Sequence, residues 1–218
     1  MMMMTHGVRR FALTAHVTCS VGWLGAALAF LGIAIVGLTH EDAPTVRGVY
    51  LVMEPAARFV LIPFAFASLL TGLVLSLGTP WGLFRHYWVV FKLLITVFST
   101  IVLVIYMGTF RQMAAVAADS SAELVAVRNA SPALHAALAT LLLLVATVLA
   151  IYKPQGVTAY GRRRLHEQNV GADSAATISR ERWLYILGMI ALAIGLLVII
   201  SHLTGGGARH HMPDVIGR

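Results

Sequence analysis

Five stretches of the chain carry no Asp, Glu, Lys or Arg: residues 11–40, 59–84, 93–110, 129–152 and 183–208. A helix needs about 20 apolar residues to cross the hydrocarbon core of a bilayer. Four of the stretches meet that length directly. The third meets it by starting near Tyr87 and taking Lys92 inside. No stretch alternates with the two-residue period of a strand, and an open sheet cannot satisfy its backbone groups in lipid. The pattern predicts five transmembrane helices, near 11–38, 48–77, 87–112, 132–152 and 183–204. The fold class is an all-α integral membrane bundle: four core helices over 11–152 and a fifth, C-terminal helix packed at the edge.

Composition agrees. Of 218 residues, 59% are hydrophobic and 11% charged, where a soluble domain carries roughly 25% charged residues. This excludes a water-soluble enzyme, a disordered chain and a disulfide scaffold, and Cys19 has no internal partner cysteine. The net charge of +7 reads as loop orientation and contact with anionic lipid, not as nucleic-acid binding. With the amino terminus inside, the inner segments hold nine Lys and Arg, including Arg9, Arg10, Arg85 and Arg162-Arg163-Arg164, and the outer segments hold six. The expected organisation is a cytoplasmic N-terminus (1–10), the core (11–152), a basic cytoplasmic loop (153–182), the fifth helix (183–204) and a flexible extracytoplasmic tail (205–218), in the cell membrane. Arg9-Arg10 followed by an apolar run, with Ala27-Leu28-Ala29 further on, resembles a secretory signal. The run continues to Leu38, far beyond a signal's short core, so an uncleaved first helix is expected.

Ionisable residues inside a span are costly, and each counts as a functional hypothesis. His16 and Lys92 lie at similar depth from the same side, so their helices can bring them together. His16, Cys19, Ser20 and Trp23 share one helix face, and Gly22 and Gly25 near it permit close approach of a helix or a flat ligand. Trp88, Lys92, Thr96, Ser99 and Tyr106 form a polar stripe expected to face the interior, with Ser68, Thr71, Gly72 and Ser76 as a weaker counterpart. Imidazole is a standard axial ligand of haem iron, and lysine pairs with a propionate or serves as a rarer ligand. Three alternatives stand beside a cofactor site: Lys92 snorkels to the headgroups, His16 only joins helices, or the pair carries protons or ions.

Toward the other side, Glu54 and Arg58 are spaced to pair, and Pro55 and Pro63 to kink the second helix. His40, His135 and His202, with Arg111, fall near one level, as a second site or as cheaply tolerated helix-end residues. Trp81, Tyr87, Trp88, Tyr152 and Trp183 read as an interfacial aromatic belt.

The stretch His16-Val17-Thr18-Cys19-Ser20-Val21-Gly22-Trp23-Leu24-Gly25 resembles the first helix of a superfamily of small four-helix membrane proteins. That superfamily includes the copper-resistance D (CopD) membrane domain and the HemJ-type protoporphyrinogen oxidases. Trp88-Val89-Val90-Phe91-Lys92-Leu93-Leu94 resembles its third helix. Within the superfamily, Ser76-Leu77-Gly78-Thr79-Pro80-Trp81-Gly82-Leu83-Phe84-Arg85-His86-Tyr87-Trp88 and Tyr152-Lys153-Pro154 are similar to an uncharacterised family of predicted integral membrane proteins (a domain of unknown function).

The HemJ resemblance implies b-type haem with a first-helix histidine and a third-helix lysine as the functional pair, here His16 and Lys92. The chain departs from HemJ in its fifth helix, its basic loop, and Tyr106-Met107 where that pattern has a histidine. The expected function is haem b binding for electron transfer, or for redox chemistry on a membrane-soluble or porphyrin-like substrate. His16 is the expected axial and metal ligand, Lys92 the propionate partner or second ligand and His86 the reserve candidate, with Trp23 and Trp88 beside them. Expected partners are the bilayer and a redox partner or membrane complex subunit. The rivals are a non-enzymatic subunit or scaffold and, on the CopD resemblance, copper handling. No clustered Met or Cys ligands occur within the spans.

Overall fold

The computed structural model describes residues 4–79, 82–154 and 156–168. These fold into α1 (His6–Thr39), α2 (Ala43–Ala56), a π-helical segment (Ala57–Leu61), α3 (Ile62–Gly78), α4 (Tyr87–Ala118), a one-turn α5 (Leu124–Val127), α6 (Ser131–Tyr152) and α7 (Ala159–Gln168). Among the described residues there is no strand, only an isolated bridge between His86 and Val157. Four helical rods are long and apolar enough to cross a membrane: α1, the continuous rod 43–78, α4, and the α5–α6 stretch that contains α6. The fifth helix expected over 183–204 and the tail over 205–218 lie outside the described residues, as do His202, Trp81 and Trp183.

The rods run up, down, up and down. α1 packs against α2, α3 and α6, and α4 packs against the same three, so α1 and α4 face each other across one diagonal. The end carrying the starts of α1 and α4 is called proximal here, and the opposite end distal. The outer surface is as apolar as the interior: Phe11, Phe59, Ile105 and Ile151 are exposed, as suits helices whose solvent is lipid.

The rods outrun the expected spans. α1 has 34 residues and begins at His6, and α4 has 32 and continues to Ala118, where 112 was expected. The second rod starts at Ala43, earlier than the expected 48, because Asp42 caps it. Asp42 accepts from Thr45 N at 2.9 Å and from Thr45 Oγ1 at 2.6 Å, with a proline in the first turn. These hydrogen bonds hold the Asp42 carboxyl below its ordinary pKa.

The expected proline irregularity takes the form of a π segment. Pro63 has no N–H to give, and just before it the ladder widens so that Ile62 N–H reaches Ala57 O. α6 stops as anticipated at Lys153-Pro154: Lys153 turns left-handed at φ 42° and its N–H still reaches Leu149 O at 3.1 Å.

Of the expected loop 153–182, the described residues 153–154 and 156–168 include α7. Tyr87 N donates to Gly156 O at 3.1 Å and Thr158 N to Arg85 O at 2.9 Å. Thr158 Oγ1 then accepts from Gly161 N at 3.0 Å and caps α7, the helix that carries Arg162, Arg163 and Arg164. This strap closes the proximal end.

The distal end is closed by two arginines. Arg47 donates to the carbonyls of Ala117 (3.1 Å), Asp119 (2.6 Å) and Ala122, taking up oxygens that the end of α4 leaves without helical partners. Arg128 donates to Leu38 O (3.3 Å) and His40 O (2.5 Å). Tyr50, fully buried, donates to Asn129 O at 3.0 Å and accepts from Asn129 N at 2.8 Å. The expected Glu54–Arg58 pair is present, and Arg111 Nε lies 4.0 Å from the same Glu54 oxygen.

Candidate functional site

Three inward layers, seven residues apart, organise the bundle along its α1–α4 diagonal. His16 faces Lys92, Trp23 and Ser99 line one cavity further along, and Phe30 and Tyr106 both pack on the Phe110 ring beyond them. Seven residues are about two turns, or roughly 10 Å of rise, and antiparallel α6 presents Leu142 and His135 to the second and third layers. The helices that carry these residues are apolar all round, so the inward polar groups stand out against aliphatic neighbours.

In the first layer Lys92 Nζ lies 3.3 Å from His16 Nε2. His16 Nδ1 is 3.1 Å from Ser68 O and 3.1 Å from Thr71 Oγ1. A carbonyl only accepts, so Nδ1 carries the proton and donates to Ser68 O; Nε2 then carries the lone pair and accepts from the Lys92 ammonium. Thr71 spends its own proton on Ala67 O at 2.6 Å, leaving its oxygen free to accept. Ser20 and Ser68 hydroxyls meet at 2.8 Å, extending the polar seat along α1 and α3. Gly72 makes room for the ring: a Cβ there would lie 3.0 Å from His16 Cε1. His16 and Lys92 are partly buried. Among the described residues Lys92 has no carboxylate partner, so a lysine with further N–H donors stands beside an imidazole without a counter-ion.

Trp23 is buried two turns along, at the wall of a separate cavity. His86 sits in the connection before α4 and bridges to Val157. Trp88, in the first turn of α4, is 9% exposed and lies 6.5 Å from the His86 ring, whereas Tyr87 and Tyr152 are exposed. Cys19 is a free, half-buried thiol. Gly22 packs against the Phe64 ring, while Gly25 has open space beside it. Thr96 and Thr100 turn their hydroxyls back to carbonyls of their own helix, both at 2.7 Å.

The two described distal histidines are separately engaged. His40 ends α1 and accepts from Asp42 N at 3.3 Å. His135 Nδ1 donates to Ser131 O at 2.8 Å, and its ring stacks on Tyr106 at 4.2 Å. Among the described residues no three His, Cys, Asp or Glu side chains come together to hold a metal ion. Sequence reasoning missed the cavity-lining role of Ser99 and the hydrogen bonds of Tyr106 and Ser131, which meet at 2.6 Å. The seven-residue spacing of Lys92, Ser99 and Tyr106 was the available signal. Comparison with protein-family models, with curated proteins and with solved structures finds no match to this chain.

Proposed function

We propose that this chain is an integral membrane protein that holds haem b through His16, for electron transfer or redox chemistry on a membrane-soluble or porphyrin-like substrate. The observation that supports this reading is the seating of the His16 imidazole. Its Nδ1–H is committed to Ser68 O, the outer-shell arrangement by which proteins fix the tautomer and raise the basicity of a ligating histidine. Nε2 is thereby left as the donor atom on the bundle interior. Lys92 engages that atom and has N–H groups to spare for a carboxylate. The donor set fits a haem that His16 Nε2 would ligate and whose propionate Lys92 would neutralise. When bound, the haem would supply a one-electron centre. Ser68, Thr71 and Gly72 hold the ring in place, and Lys92 supplies positive charge. In this reading the proximal end faces the cytoplasm, following the excess of Lys and Arg there, and a redox partner exchanges electrons with the protein.

The same contacts favour a second reading. His16 joins α1 to α3 and α4, so it also serves as a packing clamp in a subunit or scaffold without a cofactor. Titration of the haem-free, detergent-purified protein with ferric haem b, followed at the Soret band, separates the two. Saturation at one haem per chain is expected. His16→Ala should abolish it, and Lys92→Gln should weaken it about tenfold or more, as expected for a charge-assisted hydrogen bond of about 1.5–3 kcal/mol. A folded protein with no saturable change overturns the haem reading and leaves the clamp.

A further inference from the structure

A cavity of about 70 Å³ lies between α1, α4, α6 and the π segment, distal to the His16–Lys92 contact. Trp23 and Phe30 of α1, Phe98, Ser99 and Tyr106 of α4, and His135 of α6 are among the residues that line it. We infer that this cavity binds a planar, bilayer-soluble ring compound of the quinone type, whose carbonyl oxygen accepts a hydrogen bond from Ser99 Oγ.

Ser99 is 7% exposed and its hydroxyl has no hydrogen-bond partner. A buried unpaired hydroxyl costs about 1–3 kcal/mol, and a helical serine has a ready acceptor in the carbonyl four residues back. Thr96 and Thr100, beside it on the same helix, both take that acceptor, whereas Ser99 keeps its proton uncommitted at the cavity wall. The rest of the wall decides what it can serve. Water needs two to four polar partners, and this lining is almost wholly apolar. A ring carbonyl asks for one donor and presents apolar surface and flat faces elsewhere, which aromatic walls accept by stacking. At the far end, His135 is fixed by Ser131 and stacked on Tyr106, so that wall is already ordered.

Size and access fit a ligand that enters edge first. The volume is about half of the roughly 150 Å³ known to hold a benzene ring, so the closed cavity receives one edge of a ring. Trp23, Phe30 and Ser99 are buried, but Phe98 and Leu138, on the α4–α6 side, are only partly so. The remainder of the ring would lie on that less buried side, with the bilayer as the source of the ligand. The assignment does not depend on haem at His16.

The test uses the full chain, haem-free and in detergent, with a short-chain alkyl para-benzoquinone and an alkylbenzene of equal chain length as the probe without carbonyls. Binding is read from the ligand-dependent rise in melting temperature. The quinone should bind saturably and at least about fivefold more tightly than the alkylbenzene, the preference expected of one neutral hydrogen bond of about 1 kcal/mol. Ser99→Ala should remove that preference while raising the melting temperature of the unliganded protein, because it deletes an unpaired hydroxyl. His16→Ala should leave the quinone affinity unchanged. Equal binding of the two probes, no saturable binding, an undiminished preference in Ser99→Ala, or loss of quinone binding in His16→Ala would each overturn the assignment.

Discussion

Replacing Gly72 by leucine is expected to abolish haem binding and to lower the melting temperature, while the distal half of the bundle stays folded. A Cβ at position 72 lies 3.0 Å from Cε1, 3.5 Å from Nδ1 and 3.7 Å from Nε2 of His16, so a larger side chain takes the volume of the imidazole itself. The ring has no equivalent seat to retreat to, because its Nδ1 partners, Ser68 O and Thr71 Oγ1, sit on the same helix as Gly72. Overpacking costs about 1–3 kcal/mol, and the displaced ring also gives up its bonds to Ser68 and Lys92. Gly72→Ala grades the effect: the ring must yield by a few tenths of an ångström, so haem binding weakens without being lost. Soret titration and a melting curve on the two variants check this. Full haem binding in Gly72→Leu would show that the seat is not the functional one.

The largest purely structural effect is expected at Arg47. Its guanidinium serves three carbonyls at the end of α4 and in the turn after it, and hydrogen bonds from a charged donor are worth about 1.5–3 kcal/mol each. Some of those oxygens regain water at the membrane surface, so Arg47→Ala should cost about 3 kcal/mol, or roughly 6–12 °C in melting temperature for a chain of this size. Arg47→Lys should restore little, because one ammonium cannot reproduce the spread of two guanidinium nitrogens. Arg58→Ala provides the contrast. Arg58 is 45% exposed in its pair with Glu54, and exposed ion pairs contribute about 0–1 kcal/mol. Equal losses in Arg47→Ala and Arg58→Ala would contradict the account of how the distal end is closed.

Arg47 and Arg128 show where a linear reading stops. Lys and Arg outside the spans were counted as orientation charges, and nothing local marks Arg47 or Arg128 as donors to carbonyls seventy or more residues away. The rods themselves were legible because absence of charge over a bilayer's length is a one-dimensional signal, and the stop at Lys153-Pro154 is likewise local. The meeting of His16 with Lys92 was legible from depth alone: two costly side chains at one level of a bundle have few other places to go. Trp23 shares a face with His16, but that face runs along the bundle axis, so it delivers Trp23 to the next layer and not to the same site. The cavity was not legible. It is a shortfall of volume among side chains from four elements, and no single segment encodes it.

The reduced-minus-oxidised absorption spectrum of protein purified in detergent from haem-replete cells tests the central claim most directly. The wild type should be run beside His16→Ala and the lipid-facing control Leu28→Ala. The account predicts b-type bands in the wild type and in Leu28→Ala, and none in His16→Ala. A folded, colourless wild-type protein, or bands that persist without His16, would contradict it.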